Sequence, residues 1–225
     1  LQPAYRLGAL AFFFLTQTTY QPTSKDTYLF SKSPTTNYGS ETLVHIDWYS
    51  TSEVMNGLIN FDISDIPNNA TFSQGDLILY CCAYYGGSFN INRMTRTNWT
   101  ELGATWNTYD GTNNWTTAGG DYTTTNNTSH SCPSRGNWNT FAWETWSSSQ
   151  LIQDCYDNQS KNVCLEMKAE AVSARDMIFY SKENTTDTTK RPKLTVTYTA
   201  PSSSTTALQS LLEAYNYNTT ALFTD

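Results

Sequence analysis

A length of 225 residues fits one all-β domain with extensions better than two separate domains. Only 15% of the residues are charged, and Thr, Ser, Asn and Tyr fill the gap, a composition of extracellular β proteins rather than of cytosolic enzymes. A net charge of -7 repels a phosphate backbone and an anionic membrane surface alike, so nucleic acid is excluded as the natural partner.

In chain order, residues 1–21 form an N-terminal apolar segment with Leu7, Leu10, Phe12, Phe13, Phe14 and Leu15. The run 7–15 is about half of what a membrane-spanning helix needs, so no span is expected. Neither a charged n-region nor a cleavage motif precedes it, and the chain reads as a mature, processed one. From Asp26 onward short apolar or alternating stretches recur between turn signals, at 28–30, 43–48, 58–63, 77–83, 89–94, 163–167, 177–180 and 194–198. Their breaks carry Asn37-Tyr38-Gly39, Ile66-Pro67-Asn68, Gly86-Gly87, Gly119-Gly120 and Arg191-Pro192.

This spacing predicts an all-β, antiparallel, jelly-roll-like β-sandwich over residues 22–199, with terminal extensions. In Leu58-Ile59-Asn60-Phe61-Asp62-Ile63, alternation sends Ile59, Phe61 and Ile63 into the core and Asn60 and Asp62 outward. Residues 147–156, with Leu151, Ile152 and Cys155 at helical spacing, predict one short helix plugging an end of the sandwich. The turn-rich insertion 99–120 holds Trp99, Trp106 and Trp115 and is expected to be packed by its own tryptophans. Glu101 within it is expected to accept backbone N–H bonds there. Residues 200–225 begin as a Ser/Thr linker and end in an apolar connector whose Leu208, Leu211, Leu212 and Tyr215 have amphipathic-helix spacing.

Five cysteines without a C-x-x-C pair, beside two histidines, argue against zinc. Two disulfides and one odd thiol are expected: Cys155 with Cys164, and one of the adjacent Cys81 and Cys82, with Cys82 the candidate, paired with Cys132. Asn-x-Ser/Thr acceptors stand at Asn69, Asn98, Asn114, Asn126, Asn127, Asn158, Asn184 and Asn218, mostly beside turn formers, and N-linked glycans are expected on them.

Asp26 to Tyr198 resembles the DNRLRE domain family, also treated as a carbohydrate-binding module family of secreted and cell-surface proteins. The pieces in order are Asp26-Thr27-Tyr28-Leu29, Asn37-Tyr38-Gly39, Leu58 to Ile63 with Ile66-Pro67, and Leu77-Ile78-Leu79-Tyr80. Trp99-Thr100-Glu101, Ala104-Thr105-Trp106-Asn107, Trp115, Gly119-Gly120, Phe179 to Glu183 and Arg191 to Leu194 complete them. Gln74-Gly75-Asp76 departs from the family pattern, and the strand there is expected to open with a bulge.

No catalytic constellation can be assembled: there is no G-x-S-x-G, H-E-x-x-H, P-loop or dinucleotide fingerprint. His45 reads as a strand-surface histidine and His130 as a loop residue. No resident cofactor is expected, with calcium on Asp26, Asp47 and Asp62 as the one candidate. Trp48, Tyr49, Tyr84, Tyr85 and Trp115 are candidates for a sugar-stacking platform. The apolar ends need cover, which suggests a structural subunit of an extracellular, glycosylated assembly, a homopolymeric fibril in which a terminal segment docks on the next copy by β-strand addition. The alternative is a carbohydrate-binding module that recognises a polysaccharide by aromatic stacking.

Overall fold

A computed structural model describes residues 13–170 and 175–201. Ten strands run through it: β1 (Phe13–Tyr20), β2 (Lys25–Phe30), β3 (Leu43–Ser50), β4 (Glu53–Asp62), β5 (Thr71–Met94), β6 (Tyr122–Cys132), β7 (Ala142–Ser147), β8 (Asn162–Ala169), β9 (Arg175–Tyr180) and β10 (Lys193–Pro201). One helix, α1 (Ser149–Asn158), and a single 3-10 turn, Thr188–Lys190, complete the described elements.

The strands pair antiparallel in two sheets that share β5. In the first sheet β10 lies between β1 and the first part of β5, β7 flanks β5 on Asp76–Cys81, and β9 joins Cys81–Gly86 to the start of β3. In the second sheet β2, β4, β8, the last part of β5 and β6 follow in order, and the end of β3 also reaches β4. The strand passes from one sheet to the other at Gly86-Gly87, whose φ of 75° and 127° are open to glycine and strained for other residues. The expected bulge falls beside Ser73, between the Phe72 and Gln74 pairings with β10.

Between the sheets Leu77, Leu79, Phe179 and Val196 of the first meet Ile59, Phe61, Ile91 and Leu165 of the second in one buried cluster. Burying Ile59, Phe61 and Ile63 is worth on the order of 5 kcal/mol before entropy. α1 begins at Ser148, whose hydroxyl accepts from Leu151 N at 3.1 Å. It closes one end of this core with Leu151, Ile152, Cys155 and Tyr156.

A second buried cluster lies on the other face of the second sheet, where Leu29, Leu58, Met94 and Cys164 are covered by Trp99, Ala104 and Trp115. The tryptophan-rich insertion is thus packed as its composition predicts. Trp99 is 1% exposed and its indole N–H donates to Cys164 Sγ at 3.0 Å, while Trp115 donates to Thr105 O at 2.8 Å. Lys25 bonds Thr97 O (2.9 Å) and Trp99 O (2.6 Å), with its ammonium 4.2 Å from the Trp99 ring centroid. This second layer corrects one expectation: Asn60 is buried, bonded to Ser24 Oγ and Asn162 Oδ1, because both faces of β4 are covered. Asp62 is exposed as expected.

The cysteines also differ from expectation, since all five are free and buried. Cys155 of α1 belongs to the core between the sheets and Cys164 of β8 to the outer cluster, and the two thiols are not bridged. Cys82 turns outward and donates to Asn137 O at 3.1 Å, while Cys132 joins Cys81 in the inter-sheet core. Strand alternation separates Cys82 from Cys132.

Residues 13–20 form a strand of their own chain, in full register with β10 from Phe13↔Pro201 to Tyr20↔Leu194. For this stretch, docking on a neighbour is replaced by pairing in cis, with Phe14 and Leu15 exposed. Leu7, Leu10, Phe12, Leu208, Leu211, Leu212 and Tyr215 lie outside the described residues, as does Asn218. No helix among the described residues is long and apolar enough to cross a membrane.

Candidate functional site

Alternation along β5 turns Leu77, Leu79, Cys81 and Ala83 into the core, which leaves Ile78, Tyr80, Cys82 and Tyr84 on the outer face of the first sheet. Register supplies their neighbours: Trp143 of β7 opposes Tyr80 and Lys193 of β10 opposes Ile78. The Tyr80 ring lies 5.6 Å from Phe141 at 19°, 5.8 Å from Tyr180 at 37°, and 5.2 Å from Trp143 at 61°. Phe141 and Tyr180 are 5.0 Å apart and inclined by 19°. Further along β5, Tyr84 stacks on Trp138 at 5.0 Å and meets Tyr85 edge-on at 4.7 Å.

Two ammonium groups sit on these rings, Lys190 Nζ 4.7 Å from the Tyr80 centroid and Lys193 Nζ 3.9 Å from that of Trp143. Trp143 is 42% and Trp138 43% exposed, so this aromatic face opens to solvent. Exposed aromatic rings of this kind are chemically able to stack on the C–H side of a pyranose, and ammonium groups to donate to its hydroxyls. A second surface is a cleft of about 550 Å³ beside the second sheet, lined by Thr95, Thr116, Thr117, Gly120, Thr123 and the ring of Tyr122.

The sugar-platform candidates are thus divided. Tyr84 and Tyr85 lie on the aromatic face with Trp138. Trp115 is 4% exposed and serves the outer cluster, Trp48 packs half-buried against the inter-sheet core, and Tyr49 is exposed on β3. Tyr80, Phe141, Trp143 and Tyr180 were not anticipated. The alternation of 77–84 marks Tyr80 as outward, but which rings join it depends on pairings across about 60 to 100 residues of chain.

Asn69, Asn98, Asn114, Asn126, Asn127 and Asn158 are exposed. Asn184 differs from these: it is 5% exposed, and its side-chain oxygen accepts from Thr186 N and Asp187 N. The expected Asp26, Asp47 and Asp62 grouping does not form. Asp62 accepts from Ser64 N and Asp47 from Asp176 N, each capping its own backbone turn or crossing, whereas Asp26 meets Glu101 and Glu183. Burial pushes the Asp26 carboxyl up to about 7, against the opposing bonds from Thr23 and Lys182 N. His45 tilts against Tyr28 with ring centroids 5.1 Å apart, and His130 bonds Glu144 at 2.7 Å.

A two-sheet sandwich with rings spread on an open outer face has the build of a binding module, whose work is done by a preformed surface. The chain belongs to carbohydrate-binding module family 96, whose model matches residues 17–198. That range runs from β1 to β10 and includes both the aromatic face and the tryptophan-packed insertion. The resemblance carried by the sequence motifs therefore holds at the level of a carbohydrate-binding module family. No curated protein matches the chain significantly.

Proposed function

We propose that this chain is an extracellular carbohydrate-binding module that holds a polysaccharide on Tyr80, Phe141, Trp143 and Tyr180. The single observation behind this reading is the group of near-parallel rings on the outer face of the first sheet, capped by Lys190 and Lys193. Membership of a carbohydrate-binding family supports it. Exposed Asn-x-Ser/Thr acceptors and few charges support a location outside the cell, with N-linked glycans on the faces away from the rings. Binding of this kind requires no catalytic carboxylate pair.

A glycan array followed by affinity electrophoresis on the best polysaccharide tests the assignment. Trp143→Ala should weaken binding at least tenfold, about 1.4 kcal/mol, with an unchanged melting temperature. Unaltered binding by both Trp143→Ala and Trp138→Ala refutes the surface. Loss of binding in Tyr122→Ala alone would move the site to the threonine-lined cleft.

A further inference from the structure

Three motifs of the sequence, Asp26-Thr27-Tyr28, Trp99-Thr100-Glu101 and Ser181-Lys182-Glu183, converge on one spot. One carboxylate oxygen from each of Asp26, Glu101 and Glu183 lies within 4.8 Å of those of the other two. Backbone bonds fix each contributor. Glu101 Oε1 accepts from Asp26 N at 2.8 Å, and the Glu101 carbonyl accepts from Asn37 Nδ2 at 2.7 Å. Ser181 bonds Glu41 O through its hydroxyl and Thr42 O through its amide, and its hydroxyl accepts from Glu183 N at 3.1 Å.

The charge of this cluster is incompletely matched. Lys182 Nζ bonds Glu101 Oε2 at 2.9 Å and Glu183 Oε1 at 2.7 Å, and the Lys25 ammonium also feels Glu101, so two ammonium groups face three carboxylates. An independent observation points to what is missing. Asp26 is only 1% exposed, Thr23 and Lys182 N both bond its Oδ2, and its Oδ1 has no hydrogen-bond partner. Glu183 Oε2 is likewise buried without a partner. Two orphaned carboxylate oxygens in one cluster are acceptors with no donor to satisfy them, a costly arrangement inside a protein.

We propose that Asp26, Glu101 and Glu183 hold a calcium ion that staples β2, the tryptophan-packed insertion and the turn after β9. Calcium takes oxygen ligands at about 2.3–2.6 Å in irregular sets, so any two of its ligands lie within about 5 Å, which the cluster meets. Lys182 keeps the outer oxygens, and the ion takes the two orphans. The three segments are 75 and 82 residues apart in the chain, and one ion bridging them ties the second layer to the sandwich.

The test is calorimetric titration of the chelator-treated full chain with calcium chloride, with thermal melts in calcium and in EDTA. One ion should bind with a Kd of about 0.1–1 mM, the range of extracellular modules, and raise the melting temperature. Glu183→Gln, at the more exposed rim, should weaken binding at least tenfold, and Glu101→Gln should do the same if the first variant folds poorly. Lys182→Gln should bind at least as tightly as the wild type, because a competing cation is gone. Absence of binding to about 10 mM calcium, unchanged binding in both glutamine variants, or equal affinity for magnesium each overturns the assignment.

Discussion

Glu166 on β8 is fully buried, and replacing it with glutamine should make the protein more stable at alkaline pH and leave it unchanged at acid pH. Asn56 Nδ2 donates to Glu166 Oε1 at 3.0 Å, while Glu166 Oε2 and Asn56 Oδ1 are both buried acceptors without partners. A proton on Oε2 turns a buried acceptor that has no donor into a neutral donor group, which burial favours. Burial pushes the Glu166 carboxyl from 4.5 up to about 8, although Lys168 Nζ stands 3.8 Å from it. The native state therefore binds more protons than the unfolded chain between these values, and stability falls as pH rises through that window. At about 1.4 kcal/mol per tenfold change in proton affinity, the loss is bounded at about 5 kcal/mol above pH 8. Glutamine reproduces the neutral acid, its amide donating where the proton did. Urea denaturation followed by tryptophan fluorescence at pH 5, 7 and 9 should show Glu166→Gln matching the wild type at pH 5 and exceeding it by several kcal/mol at pH 9. A difference that does not change with pH would refute a neutral Glu166.

The second layer should be costly to disturb: Trp99→Ala removes a 1%-exposed indole and its bond to Cys164, and a loss of about 3–5 kcal/mol is expected in the same denaturation assay. Gly39→Ala should destabilise the fold by at least about 2 kcal/mol, because a Cβ there would lie 2.1 Å from the Glu101 carbonyl oxygen; calorimetric melting reads this directly. Mass spectrometry after alkylation in denaturant should find five modified cysteines, and alkylation of the native protein should be slow at all five, which are buried thiols. Recovery of a Cys155–Cys164 bridge would contradict two free thiols that belong to different buried clusters.

Much of this architecture is legible in one dimension because it depends on local chemistry. Alternation in 58–63 and 77–84 sets which side chains enter the core, Gly86-Gly87 marks the bend of β5, and Ser148 with Leu151, Ile152 and Cys155 marks α1. The insertion 99–120 announces its own packing through three tryptophans. Pairing across long stretches of chain is a different matter, since a strand's periodicity does not say which strand lies beside it. Tyr80 is outward by alternation alone, yet only register brings Trp143, Phe141 and Tyr180 around it. Cys155 of α1 and Cys164 of β8 are close in sequence and belong to different buried clusters, because α1 closes the inter-sheet core while Cys164 lies under the outer layer. Asp26 finds Glu101 and Glu183, not Asp47 and Asp62, because loop ends meet where the tertiary fold directs them. Local alternation and turn chemistry thus determine the layers, whereas the aromatic face and the carboxylate cluster exist only once distant segments have paired.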